Sequence, residues 1–230
     1  MNAMYWNENN PQQESAVNDQ VVDVAFNIAC RTLPVDHAYA LSQSIQRVLP
    51  WFADEDAAGL HTIHAADSGN GWMRPEDPQA LLYLSQRIKL VLRLPKQRVD
   101  AVGVLVGQTL DVAGHALRVD KMAVRPLWRI ATLFSRYVAI CSDDDETAFL
   151  KAAIEQLGAL GIRPAKMLCG LKTNITTPAG ALKTRGLMLA DLTFDESMLL
   201  QQRGLGPQRK LGCGLFLPHK DINEVRRKSG

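Results

Sequence analysis

The chain has 230 residues, 47% hydrophobic and 22% charged, and this globular balance excludes bulk disorder and suffices for one large domain or two small ones. Four dispersed cysteines exclude a disulfide scaffold and a zinc knuckle, and no segment approaches the roughly 20 apolar residues of a membrane span. The net charge of +2 identifies no partner by itself, and we expect a cytoplasmic protein with no membrane partner.

The first half predicts the order β-α-β-β-α-β after a disordered, Asn- and Gln-rich leader at residues 1–19. Residues 21–34 predict a strand, and the apolar spacing over 35–52 predicts a helix with Asp36 as its N-cap. Further elements are a short strand at 59–65, a turn-rich loop at 67–80, a strand within 81–95, a short helix after Pro95, and a strand pair within 109–127 that Gly114 interrupts.

The second half repeats this order. Strands are predicted at 131–141, 165–177, 179–192 and 213–218, and helices at 143–161 and 193–206, the latter with Thr193 and Glu196 in capping-box spacing. Two such units predict an α+β fold of tandem ferredoxin-like, or RRM-like, domains at 20–127 and 128–220, with a basic tail at 221–230.

Charge is unevenly distributed between these halves. From Lys166 onward there are eleven basic and five acidic residues, so this segment carries +6 and the remainder −4. A basic C-terminal third fits a polyanionic partner, and it fits a solvated basic face equally well.

The most distinctive stretch is "GLGPQRKLGCGLF", from Gly204 to Phe216. A Walker A loop and a dinucleotide fingerprint both lead from a strand into a helix, whereas this loop follows a helix and precedes a strand. Glycines let the backbone approach an anion closely, and two cations lie within the loop, so we favour anion contact over a plain helix-to-strand turn.

In this context the glycine stretch resembles the signature of the repeat-associated mysterious protein superfamily. Together with "LSQRIKLVLRLP" and "SMLLQQRGLGPQRKLGCGLFLPHK", it is similar to the CRISPR-associated endoribonucleases that cut precursor CRISPR RNA at its repeats, in the variant of myxan-type systems. The resemblance covers most of residues 20–220. It implies metal-independent cleavage without a cofactor, in which the ribose 2′-OH attacks the adjacent phosphate and leaves a 2′,3′-cyclic phosphate.

Such chemistry needs a base, an acid and a cation, and histidine suits either proton-transfer role near neutral pH. The resemblance places the catalytic histidine at the start of the first helix, where His37 stands. His61 and His64 are alternatives to it. Being three apart, they would face opposite sides of one strand, so they form no metal-ligand pair, and ordinary polar positions are the simpler interpretation of each.

The resemblance also implies a repeat RNA, in many cases a hairpin, as the partner, with further subunits of a CRISPR effector complex as a second partner class. Since side chains cannot read the deep A-form major groove, cations and loop N–H groups are expected to contact phosphates. The residues expected to bind RNA are Lys183, Arg185, Arg203, Gly204, Gly206, Arg209, Lys210, Gly212 and Gly214.

Two other functions remain open at this level. The first is a non-cleaving RNA-binding subunit of a CRISPR effector complex with the same fold and loop. The second is a metabolic ferredoxin-like enzyme whose loop binds a small phosphate ligand, although the sequence contains no acid–base cluster or cofactor motif for it.

Overall fold

A computed structural model describes residues 20–64, 77, 80–140 and 145–219. The predicted leader at 1–19, the tail at 221–230 and nearly all of the predicted loop at 67–80 lie outside the described residues.

The helices and strands of the first half are β1 (Val21–Ala29), β2 (Thr32–Pro34), α1 (Ala38–Val48), β3 (Gly59–His61), β4 (Leu81–Tyr83), β5 (Lys89–Pro95), α2 (Val99–Val102), β6 (Thr109–Val112) and β7 (His115–Arg125). They build a five-stranded antiparallel sheet in the order β3-β5-β1-β7-β6, with β2 and β4 paired separately. Without the edge strand β6, the order is that of a ferredoxin-like sheet, in which the first and third strands of the β-α-β-β-α-β unit lie side by side in the centre.

The helices and strands of the second half are β8 (Leu133–Val138), α3 (Glu146–Ala159), β9 (Lys166–Thr177), β10 (Gly180–Ala190), α4 (Phe194–Arg203) and β11 (Leu217–Pro218). They build a four-stranded sheet in the order β11-β8-β10-β9, which is the same ferredoxin-like arrangement without an additional strand. The predicted tandem ferredoxin-like fold is therefore confirmed, and the predicted division at 127/128 falls in the connection between β7 and β8.

Each sheet packs one face against its own helices. In the first half, Leu41 and Ile45 of α1 are fully buried in the same core cluster as Phe26 of β1. In the second half, Phe149 of α3 and Leu200 of α4 enclose a separate core with strand residues of β8 and β10. The alternation of buried and exposed residues along the strands and the helical spacing of the apolar residues produce these layers.

Three local expectations from the sequence are wrong. The predicted strand at 21–34 divides into β1 and β2, which pair in different sheets. His37, not Asp36, is the N-cap of α1, because the Asp36 carboxylate instead accepts a hydrogen bond of 2.9 Å from the Thr176 amide of β9. The predicted strand at 213–218 is reduced to β11, because glycines with positive φ curve the preceding chain.

Candidate functional site

The N-terminus of α1 lies where the two halves of the chain meet. His37 directly precedes Ala38, the first residue of α1. The Ala38 side chain packs in one cluster with Tyr137 of β8 and Ile175 of β9. The bond from Thr176 to Asp36 crosses the same boundary. The predicted catalytic helix start therefore faces the second sheet.

His37 is 2% exposed and both of its ring nitrogens meet backbone groups. Its Nδ1 lies 2.8 Å from the carbonyl oxygen of Pro34, and the Ile63 amide donates to its Nε2 at 3.1 Å. These partners assign a neutral ring with the proton on Nδ1. In this arrangement His37 ties the start of α1 to the segment after β3, and Nε2 would have to leave the Ile63 amide before it could accept a proton from substrate.

His64 lies next to this contact and is half-buried. Its Nε2 is 2.9 Å from the Thr62 hydroxyl, and its ring stacks on Tyr137 with centroids 5.8 Å apart and planes 25° apart. Tyr137 belongs to β8, so His64 spans the boundary between the two halves. The structure thus brings His37 and His64 to one place through their shared neighbour Ile63.

His61 contacts a different set of groups from His37 and His64. Its Nε2 lies 3.5 Å from a carboxylate oxygen of Asp23, and its side chain is only 10% exposed. Burial lowers the pKa of His61, and this effect outweighs the contact with Asp23, which raises it. His61 is therefore neutral near pH 7 and part of a buried cluster with Asp23 and Arg93.

That cluster was not predicted from the sequence. Arg93 of β5 is fully buried and pairs with Asp23 of β1 through two hydrogen bonds of 2.8 and 2.9 Å. Its Nη1 donates to the carbonyls of Gln201 and Phe216 in the second half, at 3.0 and 2.8 Å. Burial by itself would raise the pKa of Asp23, but the Arg93 guanidinium and His61 hold that pKa well below its usual range. The signal in the sequence was a single arginine within the apolar run "KLVLRLP".

The glycine-rich loop packs tightly between the halves. Gly204, Gly206, Gly212 and Gly214 all have positive φ, between 67° and 87°. A Cβ on Gly212 would lie 2.7 Å from the Thr62 side chain, and the Gly214 amide donates to the Tyr137 carbonyl at 2.7 Å. The glycines thus allow close backbone approach, as expected, but the groups approached are Thr62, just after β3, and Tyr137 of β8 in the protein itself.

The two cations of the loop point inward. Arg209 donates to the carbonyls of Ala57 and Gln202 at 3.0 and 3.1 Å, and Lys210 donates to the Ala58 carbonyl at 2.9 Å. The Lys210 ammonium also lies 5.4 Å from the centroid of the Phe52 ring. Burial lowers the pKa of both groups, that of Arg209 to about 10. This geometry does not support direct phosphate contact by these two side chains, which bind the second half to the first.

The other predicted RNA-binding cations differ in position. Lys183 on β10 and Arg203 at the end of α4 are exposed. Arg185 is only 8% exposed, pairs with Glu146 at 3.1 Å and lies over the Phe149 ring, so it faces α3. The contact of Arg185 with RNA remains a prediction, and this buried position does not support it.

A groove of about 440 Å³ lies between the first half and the second half, and His37, His61 and His64 do not line it. It is bounded by Tyr39 of α1, by the turn between β9 and β10, and by Gln208 and Leu211 of the glycine-rich loop.

Within the described part of the chain, no group of three or more His, Cys, Asp or Glu side chains is placed to hold a metal ion. No helix among the described residues has the length and apolarity to cross a membrane.

Solved structures with the same architecture define the class. A structure entitled "CRISPR associated protein Cas6" aligns with a TM-score of 0.62 at 10% identity, over 87% of this chain and 100% of that one. One entitled "An RAMP protein binding different RNA substrates" aligns with a TM-score of 0.60 at 11% identity, over 86% and 100%. At these identities the likeness shows the fold, that of tandem ferredoxin-like proteins.

The sequence relatives define the family. The Cas6 model, described as "Cas6 Crispr", matches residues 22–221. The chain is 30% identical over 197 residues to a protein of Myxococcus xanthus (strain DK1622) named "CRISPR-associated endonuclease Cas6", with 86% of this chain and 81% of that protein covered. The chain belongs to the Cas6 family, as the glycine-rich stretch predicted.

Proposed function

We propose that this protein is an endoribonuclease that cleaves precursor CRISPR RNA within its repeats. The relative from Myxococcus xanthus is named an endonuclease. The observation that carries the proposal for this chain is that His37 bonds to the Ile63 amide and the next residue, His64, stacks on Tyr137, which places both histidines at the boundary between the two halves. Tyr39 of α1 lines a groove there. The substrate is the repeat RNA, and its hairpin form follows from the family resemblance.

The proposed reaction is an internal transesterification. The 2′-oxygen bonds to phosphorus and the bond from phosphorus to the 5′-oxygen breaks, which yields a 2′,3′-cyclic phosphate and a 5′-hydroxyl. One group must take the proton of the 2′-OH and another must protonate the leaving 5′-oxygen. We assign these proton transfers to His37 and His64, and we leave His61 out because it is buried against Asp23 on the sheet.

For His37 this role requires that Nε2 leave the Ile63 amide when RNA binds. Its Nε2 accepts from the Ile63 amide in the present structure, and hydrogen bonds of catalytic groups commonly rearrange on substrate binding. His64 needs a smaller change, since it is half-buried and its Nε2 faces the Thr62 hydroxyl.

The test is cleavage of the cognate repeat RNA in EDTA under single-turnover conditions. His37→Ala and His64→Ala are each expected to slow cleavage by about 100- to 10,000-fold, the usual contribution of a general acid or base. His115→Ala is the matched control, because His115 lies at the start of β7 against Thr32. Wild-type rates in both His37→Ala and His64→Ala would remove the assignment, and cleavage at a 2′-deoxy site would remove the 2′-OH mechanism.

A second candidate function is binding of the processed RNA without cleavage. It is favoured by one observation, the engagement of both ring nitrogens of His37 by backbone groups. Tight binding of the repeat RNA with no cleavage by the wild-type protein would support it. Membership of the Cas6 family argues against the metabolic alternative.

A further inference from the structure

The outer edge of β7 is open over the last part of the strand. On that side β6 pairs with residues 115–118 only, and the segment just before β6 adds two backbone hydrogen bonds to Val119. On the inner side β1 pairs with β7 as far as Arg125. Within the described ranges of the chain, residues 120–125 therefore have a neighbouring strand on one side and none on the other.

This open edge carries apolar side chains on the helix-covered side of the sheet. Met122 lies opposite Phe26 of β1, and Val124 lies opposite Val24. Both β1 residues are fully buried in the core that contains α1, and paired residues of neighbouring strands share a face. Met122 and Val124 are nevertheless 36% and 48% exposed. An unpaired edge with exposed apolar side chains is a template for pairing with another segment of chain.

The charges of the edge are mainly positive. Lys121 and Arg125 are exposed. The acidic residue of the edge, Asp120, forms an ion pair with Arg118 at 3.4 Å, so its charge is already compensated. A segment that covers this edge should therefore combine apolar side chains with negative charge.

The N-terminal segment, residues 1–19, joins the sheet next to this edge. Val21, at the start of β1, packs in one small cluster with Leu127, which lies two residues beyond the end of β7. Fifteen positions separate Val21 from Trp6, and an extended chain of that length reaches about 50 Å. The open edge at 120–125 is roughly 17 Å long. The segment is therefore long enough to pass over the end of β7 and run along its outer side.

The composition of this segment complements the edge. It contains no lysine or arginine, and its acidic residues are Glu8, Glu14 and Asp19. It also contains three consecutive large apolar side chains at 4–6, in the sequence Met-Tyr-Trp. The remainder is rich in Asn and Gln, a composition that forms no core of its own but can become ordered on binding.

We propose that residues 1–19 dock on the outer edge of β7 of the same chain as an added strand. Their apolar side chains at 4–6 cover Met122 and Val124, and their acidic residues lie near the two cations of the edge. The covalent connection gives the segment a millimolar effective concentration at this edge, whereas a second copy would bring the same two cations to both sides of the contact. The added strand prevents pairing of two chains through this edge. The inference does not rest on the proposed function.

The first test uses the full chain with p-benzoylphenylalanine in place of Tyr5. Irradiation is expected to crosslink position 5 to residues 120–125 of the same chain, as located by mass spectrometry, and the yield should not change when the protein is diluted. The matched control carries the same photoreactive residue in place of Phe194, which is exposed at the start of α4. It should give no crosslink to β7.

Hydrogen exchange gives a second readout without a photoreactive group. Alternate amides of β7 point away from β1, and those within 120–125 should be protected in the wild type. Replacement of Met4, Tyr5 and Trp6 together by Ser should speed their exchange about 10-fold or more, the effect of uncovering one large apolar side chain. Lys121→Glu should speed it about 2- to 5-fold, after correction for intrinsic rates. The control Lys151→Glu, at an exposed position of α3, should leave it unchanged.

The inference is overturned if position 5 gives no crosslink to residues 120–125, or if the outward amides of this edge exchange in the wild type as fast as in the triple Ser variant. The edge would then be protected only by its own lysine and by the register shift of β7 against β1. Crosslinks between two chains, with a yield that rises with concentration, would assign the edge to a second copy and also refute it. None of these readouts requires RNA, so failure of repeat cleavage would defeat the proposed function alone.

Discussion

Arg93 and Asp23 form a bidentate ion pair whose arginine is fully buried and reaches across to the second half of the chain. The two N–O distances are 2.8 and 2.9 Å, and the remaining guanidinium nitrogen binds the carbonyls of Gln201 and Phe216. One side chain of the first sheet therefore fixes the end of α4 and the last residue of the glycine-rich stretch. This contact holds the two halves in the arrangement that forms the candidate site.

Removal of the arginine should be costly. Arg93→Met leaves the Asp23 carboxylate without its partner and two buried carbonyls without a donor, so we expect a loss of about 3–5 kcal/mol in the free energy of unfolding. Urea denaturation followed by circular dichroism measures it. The control is Arg98→Met, which breaks a more exposed pair with Glu55 and should cost about 1 kcal/mol or less. Similar losses in both variants would contradict the structural role of Arg93.

The pH dependence of stability should reveal His61. Burial lowers its pKa in the folded state, so the unfolded chain binds a proton first as the pH falls below about 6.5. The stability contributed by the neutral ring is present above that pH and is lost on acidification, at a slope of up to about 1.4 kcal/mol per pH unit.

The comparison is between the wild type and His61→Gln, with unfolding free energies measured at pH 7.5, 6.5, 5.5 and 5.0. The wild type should lose more stability than the variant over this interval. If the wild type instead gained stability on acidification relative to His61→Gln, the ion pair with Asp23 would dominate over burial, and the direction of the pKa shift would be reversed.

The sequence predicted the elements better than their contacts. Apolar periodicity and the Thr193–Glu196 capping box are local, and the structure confirms both the tandem order and the capping box. The Asp23–Arg93 pair joins residues 70 positions apart, so no local pattern indicates it. The inward orientation of Arg209 and Lys210 has the same cause, because their carbonyl partners at Ala57 and Ala58 come from the other half of the chain.

The candidate site was predicted only in part, because its local features follow from the sequence and its contacts between distant residues do not. The helix start at His37 could be placed from the sequence, and it does lie at the boundary of the halves. The burial of His37 could not be predicted, since the Ile63 amide that donates to its Nε2 comes from the segment after β3. The stacking of His64 on Tyr137 depends on the packing of β8 against the first half, which no spacing within the sequence reveals.

The glycine-rich loop should tolerate no side chain at Gly214. Its φ is 67°, and a Cβ there would overlap the carbonyl oxygen of Leu205. Gly214→Ala combines backbone strain of roughly 1–2 kcal/mol with this steric clash, so the total loss of stability should exceed the strain alone. Gly107→Ala isolates the strain, because Gly107 has φ of 86° and no atom within 4 Å of an added Cβ. Equal thermal unfolding of the two variants would show that the loop relaxes around the methyl group.

The salt dependence of RNA binding separates the two roles considered for the loop cations. A lysine or arginine that contacts a phosphate contributes about one unit to the slope of log K against log salt for each neutralised phosphate. Arg209→Gln is expected to leave this slope unchanged and to lower the free energy of unfolding, because its guanidinium binds the carbonyls of Ala57 and Gln202. Lys183→Gln, at an exposed position of β10, is expected to do the opposite, with a slope smaller by about 0.7–0.9 and little change in stability. The measurement is anisotropy titration of a non-cleavable repeat RNA between 50 and 300 mM KCl, restricted to temperatures at which both variants are folded. A reduced slope in Arg209→Gln with wild-type stability would restore the direct phosphate contact that the sequence predicted and would show that the loop turns outward when RNA binds.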